Sequence, residues 1–402
     1  MAKKFRIGLV GRLLIGIALG IAFGSFLPAP VNRIVVTAST LFASFLKFVI
    51  PLLILAFVTM GIANLTQGAG KLLALTAGMA YGSSLVWGAL AFAVAASLFP
   101  AFMSASVVGA VGHPEEGMLA PYFTIPLSPV MDVTGAVVLA FILGLCLSTM
   151  RKEAGGLYGP MEEFSSIIQR VLKTAVIPLL PLYICGTFVN MTVSGQTFVI
   201  LNILWKVFLT VVVLHMVCLL IMFLAAGAVS KKNPFTLLKN QIPGYLSAIG
   251  TQSSAATIPV NLKCAEADGV SREIRDFVIP LCANIHMAGS MITITCCVTA
   301  VLLMHGMPVS LSVIIPFIMT LGVAMVASPG APGGSIMTAL PFLPIVGIAS
   351  DGATASLLIA LYLTQDSFGT ACNVSGDNAI SVVVETFYQK FIKKDEPAGA
   401  VR

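Results

Sequence analysis

Charged side chains are scarce in this sequence of 402 residues: 9% of them are charged and 58% are hydrophobic. A soluble domain usually carries about 25% charged residues, so the sequence lacks the solvated surface that a globular enzyme of this length needs. The chain must therefore be solvated largely by lipid. We predict an all-α polytopic membrane protein of the inner or plasma membrane, because helices satisfy their own backbone hydrogen bonds within a bilayer.

The sequence also lacks the patterns that indicate nucleic-acid binding, metal clusters or nucleophilic catalysis. The formal net charge is +6, but no basic stripe with interleaved aromatic residues is present, so no nucleic-acid partner is expected. The eight cysteines show no ligand-type spacing and lie in or beside apolar segments, which is typical of small packing residues. An intramembrane serine hydrolase using Ser253 and His286 is an alternative, but no GxSxG-type elbow supports it. We therefore expect a protein that is not an enzyme and needs no cofactor.

Eight apolar segments of the sequence are long enough to cross a bilayer, which takes about 20 residues of helix. They are residues 7–27, 34–65, 72–103, 131–150, 158–193, 198–229, 277–305 and 352–391. The first of them could be a signal peptide, but it has no convincing small-residue cleavage site and another apolar run follows at once. We interpret it as a retained first helix.

Two further apolar segments, residues 234–262 and 312–349, are interrupted by small and polar residues. The interruptions read SAIGTQSSAATIP and SPGAPGG. Backbone groups in such turns cannot face lipid, because each unsatisfied group costs several kcal/mol there. We predict two re-entrant helical hairpins, and a pair of interrupted segments in a transporter is the best sequence indication of its binding site. Ordinary kinked helices are the alternative.

The distribution of Lys and Arg predicts the orientation of the chain. With both termini in the cytoplasm and both hairpins re-entrant, nearly all of the Lys and Arg residues in the loops fall on the cytoplasmic side, as the positive-inside rule expects. The first hairpin then enters from the inside and the second from the outside. Hairpins that enter from opposite faces are typical of an inverted repeat.

The last apolar segment carries two acidic residues in an otherwise uncharged surrounding. Residues 277–350 contain no Asp, Glu, Lys or Arg, and a carboxylate at the centre of a bilayer costs roughly 2.5–3.5 kcal/mol on the insertion scale. At the helical period, Asp366, Thr370, Asn373 and Asp377 share one helix face. Two carboxylates without a nearby Lys or Arg favour cations, one an ammonium group and the other a hard cation such as Na⁺. A structural polar network is the alternative.

Four segments resemble a known family in order and in content: GTQSSAATIP, PLCANIHMAGS, SPGAPGGSIM and QDSFGTACNVSGD. They are similar to the signature segments of the dicarboxylate/amino acid:cation symporters, the glutamate transporter homologues, and most similar to the bacterial sodium/serine–threonine branch. The resemblance implies a homotrimeric, inverted-repeat elevator transporter with eight transmembrane helices and two re-entrant hairpins. It also implies a scaffold formed by residues 1–65 and 104–195, and a transport domain formed by residues 66–103 and 196–395.

The resemblance assigns a role to individual residues of this sequence. Asp366 holds the substrate ammonium, Asn373 binds the substrate carboxylate with help from Ser254, and Thr370 contacts the substrate side chain. The implied substrate-binding set is completed by Ser253, Ser290, Ala331 and Gly333. The implied sodium ligands are Asp377, Asn373, His286, Cys282, Met287 and Ser328, several of them through backbone carbonyls.

The departures from the family pattern are informative about the substrate and the coupling ion. Gly369 stands where members with acidic substrates carry an arginine, and Gln252 stands where archaeal relatives carry another. An acidic substrate would leave a buried charge unpaired, so we predict a small neutral amino acid. Ala288 replaces a sodium-binding aspartate, which puts a third sodium site in doubt. His286 replaces an asparagine shared between sodium sites, so Na⁺ and H⁺ both remain candidates for the coupling ion.

We therefore predict an importer of a small neutral amino acid of the serine/threonine class, driven by Na⁺ and solvated by membrane lipid. A second possibility is an H⁺- or Na⁺-coupled transporter of another small carboxylate or dicarboxylate, although Asp366 would then face the charge of the substrate. A passive channel is a third possibility, but the sequence has no filter motif that would form a ring.

Overall fold

The computed structural model describes residues 9–65, 70–103, 119–131, 133–149, 155–195, 197–325, 328, 333–350 and 352–392. Within these ranges the secondary structure is helical and contains no β-strand, which confirms the predicted all-α class. In the first half of the chain the helices are α1 (Leu9–Phe26), α2 (Ala29–Leu65), α3 (Gly70–Leu98), α4 (Val133–Thr149), α5 (Gly155–Val171), α6 (Ile177–Val193) and α7 (Thr197–Ser230). A π-helical turn joins α5 to α6 without a break.

Five helical spans in the described residues are long and apolar enough to cross a membrane. They are Ala29–Met60, Leu72–Ala101, Gly156–Val193, Leu201–Ser230 and Arg272–Met304. Large apolar side chains along these spans remain exposed, Trp205 and Val213 among them. Exposed apolar surface on long helices is what a lipid-facing bundle presents, so the chain is a multi-pass membrane protein.

The first predicted hairpin forms from α8 (Pro234–Thr251) and α9 (Ser254–Ala267), which are 18 and 14 residues long. Both are shorter than the roughly 20 residues that a span requires. Gln252 reverses the chain in the left-handed conformation, and Ser253 caps α9 by accepting a hydrogen bond from the amide of Ala256 at 3.2 Å. We call these two helices hairpin 1.

The segment that follows differs from the single helix expected over 277–305. It consists of α10 (Arg272–Ile285) and α11 (Ala288–Met304), and the chain is extended at His286. The expectation of a continuous helix is wrong here, because side chains from other helices replace intrahelical partners. The amide of Met287 donates to Ser84 on α3 at 3.0 Å. The amides of Gly289 and Ser290, at the start of α11, donate to a side chain of the last helix.

The second hairpin and the last helix complete the fold. Hairpin 2 comprises α12 (Leu311–Met325), α13 (Gly334–Ala339) and a 3₁₀ segment, Leu340–Val346. Most of its tip, residues 326–327 and 329–332, lies outside the described residues. The last helix is α14 (Ala353–Phe387), which continues as a π-helical turn to Ile392.

Small residues allow the helices around the centre to approach closely. All but one of the residues of α11 are buried, and a Cβ on its Gly289 would overlap the carbonyl oxygen of Gly369 on α14. Helices α3, α7 and α14 pack around α11, while α2 packs on α4, α5 and α6. A Cβ on Gly16 of α1 would lie 2.6 Å from the carbonyl oxygen of Pro181 on α6. Close backbone approach through small residues is typical of helix packing in lipid.

Candidate functional site

Asp366 lies at the point where hairpin 2 meets α14. Its side chain is 4% exposed. Its Oδ1 accepts a hydrogen bond from the hydroxyl of Tyr362 at 2.8 Å, and its Oδ2 accepts one from the amide of Gly333 at 2.7 Å. Gly333 has φ 74° and is left-handed, a conformation that glycine adopts without strain. The structure thus brings together two residues of the predicted substrate site, Gly333 and Asp366.

Asn373 binds the free amides at the start of α11. Its Oδ1 accepts hydrogen bonds from the amides of Gly289 at 2.7 Å and Ser290 at 3.2 Å. Its Nδ2 donates to Oγ of Ser290 at 2.9 Å and lies 3.4 Å from Sδ of Met287. A helix begins with amides that have no intrahelical partner, and here the amide side chain of α14 supplies the acceptor. The broken helix and Asn373 therefore form one unit beside Asp366, which lies two turns away on α14.

Buried hydroxyls connect this unit to hairpin 2. Oγ of Ser335 donates to Oγ of Ser290 at 3.1 Å, and Ser328 donates to Ser335 at 3.4 Å. The hydroxyl of Tyr362 lies 3.4 Å from the same oxygen of Ser290. All four side chains are less than 9% exposed. The arrangement offers a substrate a carboxylate, an amide and several hydroxyls, all neutral except the carboxylate.

The second acidic residue of α14 is paired with a histidine. Nδ1 of His286 lies 3.0 Å from Oδ1 of Asp377, and its Nε2 lies 3.1 Å from Oγ of Ser83 on α3. Both members of the pair are at most 1% exposed. Gly376 makes room for the imidazole ring, since a Cβ there would overlap Cε1 of His286. The His286 side chain thus has two defined partners, Asp377 on α14 and Ser83 on α3.

The other oxygen of the Asp377 carboxylate, Oδ2, is buried without a hydrogen-bond partner among the residues that the structure describes. A buried acceptor of this kind is costly unless something binds it. No group of three or more His, Cys, Asp or Glu side chains converges within the described ranges, so a cation at Asp377 would be held mainly by neutral oxygens. Hard cations such as Na⁺ accept such ligands.

The carbonyl oxygens expected near this cation are already part of helix ends. That of Cys282 accepts the amide of His286 at 2.8 Å, and that of Met287 accepts the amide of Met291 at 2.8 Å. A carbonyl oxygen has two lone pairs, so these bonds leave one on each oxygen. The roles of Cys282, Met287 and Ser328 as sodium ligands stay predictions.

Gly369 is buried on α14 against Thr293 of α11. A Cβ at Gly369 would lie 3.3 Å from Oγ1 of Thr293. That hydroxyl donates to the carbonyl oxygen of Gly289 and lies 3.1 Å from Nε2 of the buried His215. Among the buried residues that the structure describes there is no Lys or Arg.

The remaining residues of the predicted site have simpler placements. Ser253 and Ser254 lie at the turn of hairpin 1, and Ser254 is 5% exposed. Thr370 is buried one turn after Asp366 on α14. Ala331 lies outside the described residues. Their contributions to substrate binding stay predictions.

Sequence reasoning missed several residues of this site, chiefly Tyr362, Ser335, His215 and Ser83. Tyr362 had a recognisable signal, because residues four apart on a helix are neighbours and it precedes Asp366 by four. The other three had none, since each reaches the site from a different helix. Their importance follows only from the packing of α3, α7 and α13 around α11.

A buried polar network connects hairpin 1 to α14, away from Asp366. Asp268, at the end of α9, accepts hydrogen bonds from Asn240 at 2.8 Å and from Asn378 at 2.7 Å, and its carbonyl oxygen accepts one from Lys232. Asn378 also donates to Gln241 at 2.8 Å. Burial raises the pKa of Asp268, while the two asparagine bonds and the charge of Lys232 oppose that rise. The network fixes hairpin 1 against the last helix.

Nearly the whole chain is similar to proteins of one transporter family. The model of the sodium:dicarboxylate symporter family matches residues 9–387. The chain is also similar to the serine/threonine transporter SstT of Acinetobacter baumannii strains AYE, AB307-0294 and AB0057. It is 26% identical to each over 392 residues, which cover 94% of this chain and 97% of the relative.

Proposed function

The chain belongs to the sodium:dicarboxylate symporter family, and from this premise we propose that it imports a small neutral amino acid of the serine/threonine class together with Na⁺. Membership of the family makes it a sodium-coupled symporter in a membrane and not an enzyme. The proposal adds the substrate and the residues that bind it. It is supported by one observation above all: the buried carboxylate of Asp366 lies beside an amide and hydroxyls, and the buried residues that the structure describes include no Lys or Arg.

The chemistry around Asp366 favours an ammonium group. Each of its oxygens accepts one hydrogen bond from a neutral donor, so neither bond supplies a positive charge, and each oxygen has a further lone pair free. Breaking a buried ion pair by removal of one partner costs about 3–5 kcal/mol. An ammonium group that binds here supplies the missing partner, whereas a substrate without one leaves the charge uncompensated.

The opposite end of an amino acid requires donors for its carboxylate. Ser290 and the amide of Asn373 lie next to each other, with Nδ2 of Asn373 2.9 Å from Oγ of Ser290. Hydrogen bonds to a charged group contribute about 1.5–3 kcal/mol each. These groups and the hydroxyls at the tip of hairpin 1 are the proposed carboxylate site. SstT relatives, which are named as serine/threonine transporters, agree with this substrate class.

The neutral character of the substrate side chain follows from Gly369. Its nearest side-chain neighbour is the hydroxyl of Thr293, which offers no charge. An acidic side chain placed beside it would be a buried anion without a partner, and the desolvation of an ion costs several kcal/mol. A hydroxymethyl or methyl side chain carries no charge, so a substrate that bears one avoids this loss.

Sodium is proposed to bind at the free oxygen of Asp377. Each positive charge that moves inward across 100 mV supplies about 2.3 kcal/mol, so a single coupled ion is enough to concentrate the substrate. We assign the outer gate to hairpin 2, because its Gly333 contacts the Asp366 carboxylate. Opening of the hairpin would break this bond and give the ammonium group access to Asp366. By analogy with the family, helix α3 and helices α7 to α14 move as a unit against the other helices, in a homotrimer.

Uptake of radiolabelled serine into proteoliposomes tests this proposal. We expect accumulation with an inward Na⁺ gradient, competition by threonine and alanine, and little competition by glutamate or succinate. The Asp366→Asn variant should lose uptake. Accumulation of succinate in place of serine, or indifference of serine uptake to Na⁺, would contradict the proposal. A parallel arm with a proton gradient and no Na⁺ reports whether H⁺ is the coupling ion.

A further inference from the structure

Tyr362 is a fully buried side chain of α14 whose hydroxyl reaches the candidate site. Its exposure is 0%, and it is the bulkiest of the fully buried side chains in the described part of the chain. The hydroxyl donates to Oδ1 of Asp366 at 2.8 Å and lies 3.4 Å from Oγ of Ser290. One hydroxyl therefore contacts both the residue proposed for the substrate ammonium and a residue proposed for the substrate carboxylate.

The two groups that donate hydrogen bonds to Asp366 lie on different elements. The amide of Gly333 belongs to hairpin 2, so its bond breaks when the hairpin opens. The hydroxyl of Tyr362 belongs to the same helix as Asp366, one turn away, so its bond does not depend on the hairpin. When the gate is open, Tyr362 is the donor that still orients the carboxylate.

We propose that Tyr362 is a positioning residue for substrate capture, which holds the Asp366 carboxylate in its ammonium-binding orientation while hairpin 2 is open. This inference rests on the proposed function and deepens it. The phenol is a neutral donor, so it orients the carboxylate without cancelling the charge that attracts the ammonium group. The contact with Ser290 holds the phenol in turn, since Ser290 is itself fixed by Asn373.

A positioning role of this kind has a specific kinetic signature. Loss of the hydroxyl weakens a charge-assisted hydrogen bond, which corresponds to roughly a 10- to 100-fold rise in KM. The maximal rate of uptake per folded transporter should change little, because the closed state is still held by Gly333. The preference among serine, threonine and alanine should also stay unchanged, because the ammonium group is common to all three.

The experiment compares two tyrosine-to-phenylalanine variants in proteoliposomes. Tyr362→Phe removes the proposed contact. Tyr183→Phe is the matched control, because Tyr183 is 4% exposed and its hydroxyl contacts Ser356, on the same helix but outside the site. We expect a raised KM for serine with Tyr362→Phe alone. An unchanged KM, an equal rise in both variants, or an altered preference among the three amino acids would overturn the proposal.

Failure of this inference can be distinguished from failure of the proposed function. If the unmodified protein accumulates no neutral amino acid, the proposed function is wrong and the role of Tyr362 in substrate capture is wrong with it. If it accumulates serine and Tyr362→Phe leaves KM unchanged, only the role of Tyr362 is wrong. Should Tyr362→Phe fail to fold, 3-fluorotyrosine at position 362 keeps the ring and strengthens the donor. A lowered KM then supports the proposal, and an unaltered or raised KM contradicts it.

Discussion

An arginine at position 369 is expected to exchange the substrate class from neutral to acidic amino acids. Gly369 is buried and lies on α14, three residues after Asp366. The guanidinium of a Gly369→Arg variant would introduce the charge that the described buried residues lack there. It could then pair bidentately with a side-chain carboxylate of the substrate.

The change in substrate preference depends on two opposing terms, the new ion pair and the crowding around Gly369. A buried ion pair that loses one partner is destabilised by about 3–5 kcal/mol, so the added arginine should favour glutamate over serine by more than about a hundredfold. Against this gain stands a tight contact, since Cβ would lie 3.3 Å from Oγ1 of Thr293. Overpacking of that kind costs roughly 1–3 kcal/mol, which lowers stability without reversing the preference.

The assay is competition against radiolabelled serine and glutamate uptake by purified protein in proteoliposomes. The Gly369→Met variant is the control, because its side chain has similar length and no charge. We expect the arginine variant to lose serine uptake and to gain glutamate uptake. The methionine variant should lose serine uptake without gaining glutamate uptake. The reasoning is refuted if the unmodified protein takes up glutamate as well as serine, or if both variants keep the same preference.

Four further changes test other parts of the structure. The Gly333→Ala variant places a side chain at φ 74° and should weaken closure of hairpin 2 by roughly 1–2 kcal/mol. The expected result is a higher KM for serine and faster release of substrate. Gly82→Ala is the control, because Gly82 lies on an open helix face. The Asn378→Ala variant removes a buried donor from Asp268 and should destabilise the protein by about 1–3 kcal/mol, read as a lower melting temperature in detergent. Because the pKa of Asp268 is raised, the folded state retains its proton longer than the unfolded state does, so this group's contribution to stability is largest at low pH. That contribution falls as the pH rises from about 4, the ordinary pKa of an aspartate, through the raised pKa of Asp268. The stability of an Asp268→Asn variant should not fall in this pH range. The His286→Asn variant removes the imidazole from Oδ1 of Asp377 and should lower the Na⁺ concentration for half-maximal uptake by about tenfold. An unchanged Na⁺ dependence would contradict the idea that His286 competes with Na⁺ for this carboxylate.

Much of the helical framework follows from properties that act locally. The length of an apolar run determines whether a helix spans the bilayer, so the arms of hairpin 1 are recognisable because each is too short. The polar face of α14 is likewise local, since helical spacing alone aligns Asp366, Asn373 and Asp377. The burial of all three follows because a carboxylate or an amide is not stable facing lipid.

The features that sequence analysis missed depend on contacts between distant segments. The break between α10 and α11 is stabilised by Ser84 and by Asn373, which lie on two other helices. Nothing in the local sequence specifies those acceptors, and the apolar pattern alone predicted one continuous helix. The link between Asp268 and Asn378 spans 110 residues and was missed for the same reason.

The central claim is that two buried carboxylates on α14 are retained because cationic cargo neutralises them. The most direct test is the steady-state accumulation of serine in proteoliposomes at a fixed inward Na⁺ gradient, measured for the unmodified protein and for a variant carrying both Asp366→Asn and Asp377→Asn. The account predicts concentrative uptake by the former and only equilibration, or no uptake, by the latter. Full Na⁺-driven accumulation by the doubly substituted protein would contradict it.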